Sequence, residues 1–272
     1  MRTPRSLRVA RRSARTAFAC LAAIGESRLG GPATRAARAA RLQRLMAEVV
    51  EIHGVRVGVV GALPTGPCVL VANHVGYLDP IVIGAQVPCT MLAKREIASW
   101  PVIGGAGTKL GIQYVDRAST MSRAAAALGA LRALREGVSV LNFPEGTTTD
   151  GSRLLPFASG IFGVARLAGV PVVPLALRLG STALTWTGGE TFLPHYARTA
   201  ARPSMSAVIR VGESIAPDRF ATVSALAAAA RRAVAALLEP EELAHEPRER
   251  AVVSPARPDA VLPLAERVLR FA

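Results

Sequence analysis

The sequence predicts an α/β domain, a mixed and largely parallel sheet flanked by helices and preceded by a basic N-terminal helical pair. Three observations carry this. From about residue 55 onward short β-rich runs alternate with helical stretches. Several of the runs are apolar throughout, as strands covered on both faces must be. The first fifty residues hold eleven arginines against two glutamates, set in two segments with helical periodicity. With 272 residues, 50% of them hydrophobic and 19% charged, the chain can bury a sizeable core and is too apolar to be disordered.

On a helical wheel Arg5, Arg8, Arg12 and Arg15 take one face of the first segment, and Leu7, Ala10, Ala14, Phe18 and Leu21 take another. The Gly-Gly-Pro at 30–32 breaks it, and Leu42, Leu45, Met46 and Val49 restart the helical spacing. Strands are expected at 55–60, 68–72, 89–93, 112–115, 138–142, 171–177 and 206–211. Helices are expected at 79–86, 102–109, 119–136, 159–168 and 222–238, with Ser119 as N-cap and Gly137 just past the C-terminus of the third. Residues 1–52 are thus expected to form a pair of basic amphipathic helices, 53–239 the central domain and 240–272 a charged, proline-rich, loosely ordered tail.

The 33 basic residues outnumber the 19 acidic ones, a formal charge of +14, and only Lys94 and Lys109 are lysines. The partners implied are anionic. Nine of the fourteen net charges lie in the first fifty residues, on amphipathic helices, which points to an anionic membrane surface. Nucleic acid is not an expected partner, since aromatic residues are only 4% of the chain and leave little for base stacking. Cys20, Cys68 and Cys89 are odd in number and form no CxxC pair, which supports neither a disulfide framework nor a zinc ribbon and fits a reducing compartment.

The charge-free stretch from Thr16 to Gly25 is ten residues, where a span needs about 20. Glu26 and Arg28 follow it without a small-residue cleavage site, so no cleaved signal is expected. The window 57–78 lacks charge but reads as strand and turn. A peripheral or monotopic protein on the cytoplasmic face of a membrane is the expectation. GGAGTKLG at 104–111 meets neither phosphate-loop pattern, and HEPRE at 245–249 lacks the second histidine of a zinc protease. No metal or redox cofactor is implied.

The chemistry gathers at strand ends, where open α/β sheets bind ligands. His74 lies just past one buried strand, with Asp79 five residues on at the start of a helix. An imidazole supported by a carboxylate acts as a general base. No GxSxG is present, so the nucleophile must come from the substrate. Glu145, Gly146 and Thr147–Thr149 follow a second buried strand in a polar turn suited to an anion or hydroxyl. Asp116 and Arg117 end a third, and Arg117 has the planar fork to clamp a phosphate. His53, His195 and His245 have no partner spacing and are expected at the surface or in packing, while Trp100 and Trp186 suit either a membrane interface or the core.

The blocks NHVGYLD, GIQYVDR, FPEGT and VPVVPL, in that order, resemble the four blocks of the glycerolipid acyltransferase family that includes 1-acylglycerol-3-phosphate acyltransferases, over about residues 50–215. The resemblance implies transfer of a fatty acyl group from an acyl-CoA or acyl-carrier-protein thioester to a lysolipid hydroxyl, with the thioester as co-substrate and no further cofactor. It implies that His74 deprotonates the acceptor and that Asp79 supports it. Asn73, Glu145, Gly146, Thr147 and Thr148 fall to substrate binding, Arg117 to the acceptor phosphate and Lys94 to an anion. The block around Pro171 and Pro174 is expected to be a rigid strand shaping the pocket. The first acceptor implied is 1-acylglycerol-3-phosphate, giving phosphatidic acid. Many phosphatidic-acid-forming members carry arginine where this chain has Thr148, and the TTTDG continuation is similar to members that acylate lysophospholipids or lyso-ornithine lipids. Arg153 stands a few residues downstream as a replacement charge.

Overall fold

The computed structural model describes residues 4–31, 33–187 and 189–238; the tail after residue 238, with His245, lies outside the described residues. Seven strands form one sheet: β1 (Val55–Val60), β2 (Val69–Ala72), β3 (Cys89–Lys94), β4 (Gln113–Val115), β5 (Ser139–Asn142), β6 (Val172–Leu179) and β7 (Met205–Val211). Their order is β1-β7-β6-β2-β5-β3-β4. Every pairing is parallel except β6 with β7, so the sheet is mixed and mostly parallel.

Both faces of the sheet are covered, and the central strands divide their side chains between two cores. On β2, Leu70 and Ala72 join one apolar cluster and Val69 and Val71 the other, all with no exposure. The period of two along a strand sends alternate residues to opposite layers. Helices α1 (Arg5–Arg28), α2 (Arg35–His53), α3 (Leu78–Gly84) and α4 (Ile103–Lys109) cover the first face. Helices α5 (Thr120–Arg135), α6 (Gly160–Ala168) and α8 (Val223–Leu238) cover the second. The seven expected strands and five expected domain helices all form, with shifts of a residue or two at their ends. Ser119 caps α5 by accepting the Ser122 N–H at 3.2 Å, and Gly137 follows the helix at φ +81°. Helix α7 (Phe192–Ala200) is an addition to the sequence reading. Pro194 lies in its first turn, where a missing N–H removes no helical bond.

The helical pair departs from the wheel drawn on the sequence. Arg12 is buried, not part of an outward basic face. Its Nε donates to the Ile52 carbonyl at 3.0 Å, Nη1 to Ala200 at 3.0 Å and Arg202 at 2.6 Å, and Nη2 to Pro203 at 3.3 Å. Ile52 and Ala200 lie in the last turns of α2 and α7, where carbonyls lack intrahelical donors. One guanidinium therefore caps two helix ends and the entry to β7, and its charge offsets their dipoles. Burial lowers its pKa, and neighbouring Arg8 lowers it further. Gly54 makes room for it: φ is +64°, and a Cβ there would lie 3.0 Å from Nη2. Leu7, Phe18 and Leu21 point outward, at 56%, 72% and 53% exposure, while Ala19, Cys20 and Ala23 face the core. Among the described residues, no helix is long and apolar enough to cross a membrane.

Replacing Arg12 with methionine strands these carbonyls and is expected to cost about 3 kcal/mol of stability. The exposed Arg11→Met beside it should cost less than about 0.5 kcal/mol. Denaturant midpoints of the two variants make the comparison.

Candidate active site

The site is built where β2 leaves the sheet. Asn73 continues the strand with its side chain: Nδ2 donates to the Leu177 carbonyl at 3.0 Å and Oδ1 accepts the Leu177 N–H at 2.8 Å. The residue is buried and its amide is engaged by β6. What it does is fix the point at which His74 emerges.

His74 is held on every side. Its N–H donates to Glu145 Oε1 at 2.7 Å, and its carbonyl accepts the Thr149 N–H at 2.9 Å. The imidazole stacks on Phe143, with ring centroids 4.2 Å apart and planes 19° from parallel. Phe143 was not singled out from the sequence, although the FPEGT block that carries it was. Nδ1 lies 2.7 Å from Asp79 Oδ2. Asp79 is fully buried at the start of α3, and the same oxygen accepts the N–H groups of Val75 at 2.6 Å and Gly76 at 2.9 Å. Because Oδ2 already accepts two amide protons, the proton in its third contact belongs to Nδ1, and Nε2 makes no hydrogen bond among the described residues. The His74 side chain retains 18% exposure.

Glu145 braces this turn. Oε1 takes the His74 N–H and Oε2 the Leu155 N–H at 2.9 Å, so both oxygens are committed to backbone. Burial raises its pKa, and the two amide donors pull it back. Gly146 turns the chain at φ +75°. Thr149 is buried in the loop, while Thr147 is exposed and Thr148 half-buried.

A lid of aromatic residues covers the other side of the turn. The Trp186 N–H donates to the Val75 carbonyl at 2.7 Å, and a Cβ on Gly76 would meet Trp186 N at 3.2 Å. Backbone approaches backbone there because position 76 has no side chain. Tyr77 packs edge-on against Trp186, Phe192 and His195, and Trp100 lies 4.3 Å from Phe192. His195 donates from Nε2 to the Thr185 carbonyl at 2.9 Å and accepts the Tyr77 hydroxyl on Nδ1 at 3.1 Å. His53 repeats the pattern, donating to the Val49 carbonyl at 2.9 Å and facing the Tyr196 hydroxyl at 3.2 Å. Both are packing histidines, as expected, and both tryptophans belong to this cluster or its rim.

The basic residues stand further along the same sheet edge. Lys94 ends β3 and pairs with Glu96 at 3.1 Å; Arg95 reaches Asp116 at 3.4 Å. Arg117, just past β4, is exposed and its side chain has no partner among the described residues. With β3 two strands and β4 three strands from β2, they lie about 10 and 14 Å from His74 along the edge. The structure aligns them with the histidine and does not bring them into contact with it. Among the described residues, no group of histidine, cysteine, aspartate and glutamate side chains is placed to hold a metal ion.

The profile of a family described as acyltransferase matches residues 54–178, which span these elements from the start of β1 into β6. A lyso-ornithine lipid O-acyltransferase from Pseudomonas aeruginosa is 34% identical over 184 residues, covering 66% of this chain and 70% of the relative. The chain belongs to the acyltransferase family. A lyso-ornithine lipid O-acyltransferase from Brucella abortus is 29% identical to this acyltransferase over 73% of the chain and 81% of the relative. A 1-acyl-sn-glycerol-3-phosphate acyltransferase from Neisseria gonorrhoeae is 37% identical over 46% and 48%. The crystal structure of the 1-acyl-sn-glycerophosphate acyltransferase PlsC from Thermotoga maritima superposes with a TM-score of 0.63 at 22% identity, over 88% of this chain and all of that one, and shares its fold.

Burial lowers the pKa of both His53 and His195, with the nearby cations Arg12, and Arg198 and Arg202, adding to it. The unfolded chain then binds more protons than the folded acyltransferase between their folded values and the ordinary histidine value near 6.5. Their contribution is complete above that value and lost as pH falls below it. Thermal unfolding is expected at lower temperature on going from pH 7.5 to 5.5, and His53→Gln with His195→Gln should flatten the dependence.

Proposed function

We propose that this enzyme transfers a fatty acyl group from an acyl-CoA or acyl-carrier-protein thioester to the free hydroxyl of a lysolipid, with His74 as general base. The observation that carries the reading is the 2.7 Å contact between His74 Nδ1 and Asp79 Oδ2, which leaves Nε2 without a hydrogen bond among the described residues, on a side chain that keeps 18% exposure in a chain of this family. Nε2 takes the proton of the acceptor hydroxyl as its oxygen forms the bond to the thioester carbonyl carbon. The tetrahedral oxyanion that results needs N–H donors. Its collapse breaks the carbon–sulfur bond, and the proton held by His74 passes to the departing thiolate. Asp79 stabilises the imidazolium in between.

For the acceptor, lyso-ornithine lipid stands ahead of 1-acylglycerol-3-phosphate. Relatives named for the first align over 70% and 81% of their length, against 48% for one named for the second, and Thr148 stands where an arginine would meet a phosphomonoester. The second reading keeps support from Arg117, an exposed guanidinium on the His74 edge. Purified enzyme in detergent, given one acyl thioester and a panel of lyso-ornithine lipid, lysophosphatidic acid and other lysophospholipids, decides between them. His74→Ala should lower turnover by at least about a hundredfold with folding unchanged. Turnover retained by that variant removes the histidine from the mechanism.

We further propose that α1 rests on an anionic membrane surface. The exposed Leu7, Phe18 and Leu21, with arginines beside them, form a surface of that kind. The enzyme's three cysteines, Cys20, Cys68 and Cys89, are buried and unpaired, as suits the cytoplasmic face. Phe18→Ser with Leu21→Ser should weaken co-sedimentation with phosphatidylglycerol vesicles several-fold while turnover in detergent stays intact.

A further inference from the structure

Four arginines of α1, namely Arg8, Arg11, Arg12 and Arg15, line with Ile52 a cavity of about 260 Å³. That is room for roughly eight waters at about 30 Å³ each, the bulk of a glycerophosphate group. The lining holds no acidic side chain. Two of its arginines are fixed in place: Arg12 by the carbonyls of Ile52, Ala200, Arg202 and Pro203, and Arg8 by the Ala201 carbonyl at 2.5 Å. The other two, Arg11 and Arg15, are exposed, and their side chains make no hydrogen bond or ion pair among the described residues. Two anchored charges thus form the floor, and two unengaged guanidinium forks, of the shape that grips phosphate oxygens in pairs, form the rim.

We infer that this cavity binds the phosphodiester headgroup of an anionic phospholipid, at a site separate from the one where acyl transfer occurs. A phosphate in solution would satisfy the charge alone. The neighbouring surface favours the lipid, because Leu7, Ala14, Phe18 and Leu21 run along α1 immediately beside Arg11 and Arg15, and all four are exposed. A headgroup in the cavity leaves its acyl chains against that stripe.

The sheet gives the site a consequence for catalysis. Arg12 reaches the entries of β1 and β7, through Gly54 and Pro203. Because β7 runs antiparallel to β6, with Ala207 opposite Leu179, the start of β7 and the ends of β6 and β2 share one edge. The cavity therefore lies on the same side of the sheet as His74, two to three strands across and five to six residues further along the strand direction, about 20–25 Å away. A lipid held there turns that edge toward the bilayer.

The inference rests on the surface-bound reading above, and the test separates the two. Dihexanoylphosphatidylglycerol below its micelle concentration is titrated calorimetrically into full-length enzyme, with inorganic phosphate and acyl-carrier protein as parallel arms. The variants are Arg11→Gln with Arg15→Gln and, as an equal loss of charge at the other end of the helical pair, Arg28→Gln with Arg44→Gln. Expected is saturable lipid binding by wild type and the Arg28/Arg44 variant, at least tenfold weaker in the Arg11/Arg15 variant, with inorganic phosphate at least tenfold weaker than lipid and detergent turnover equal in all three. Absence of saturable lipid binding, equal loss in both variants, phosphate binding as tight as lipid, or an effect confined to carrier protein would each overturn it. Vesicle binding that depends on Phe18 and Leu21 but not on Arg11 and Arg15 would leave the membrane reading standing and remove this one.

Discussion

A single carboxylate oxygen organises the centre of this protein. Asp79 is without exposure, and burying an ion is costly unless donors replace the lost water. Its Oδ2 takes three, the Val75 and Gly76 amides and the His74 imidazole. The turn from β2 to α3 can close only around that oxygen, so the local fold and the histidine tautomer have one cause. The stacking of Phe143 then fixes the plane of the imidazole, whose Nε2 alone is without a hydrogen bond among the described residues.

Around this node the rest of the molecule is arranged by edge and face. The two apolar layers set the sheet, and the sheet sets which residues share a rim. His74, the Glu145 turn, Lys94 and Arg117 follow one another across it, and the arginine-lined cavity lies on the same side, beyond β6 and further along the strand direction.

The sequence reading succeeds where a side chain's role follows from local pattern. The alternation of Val69, Leu70, Val71 and Ala72 announces a strand covered twice, and Ser119 and Gly137 bracket α5 by their own backbone preferences. His74 and Asp79 are legible because the spacing that joins them lies within one turn. It falls short where a polar side chain is used by distant backbone. Asn73 looks like a ligand residue and serves β6 at residue 177; Arg12 looks like part of a solvated face and serves carbonyls near residue 200. Helical wheels give the azimuth of a residue and not what stands opposite it. Phe143 escaped for a similar reason, since a ring in an apolar run carries no mark of the imidazole it will face.

The bonds around His74 also bear on how such a protein can change. Its amide and its carbonyl are both tied to the 145–149 loop, by Glu145 and Thr149. The two segments lie some seventy residues apart in the chain, yet neither has a complete set of hydrogen bonds without the other. They are one module in two pieces. Recombination that brings in a new loop without its matching turn would leave both peptide groups of the histidine orphaned, so change within this loop is free only at positions such as Thr147 and Thr148, which the module does not use to hold itself together.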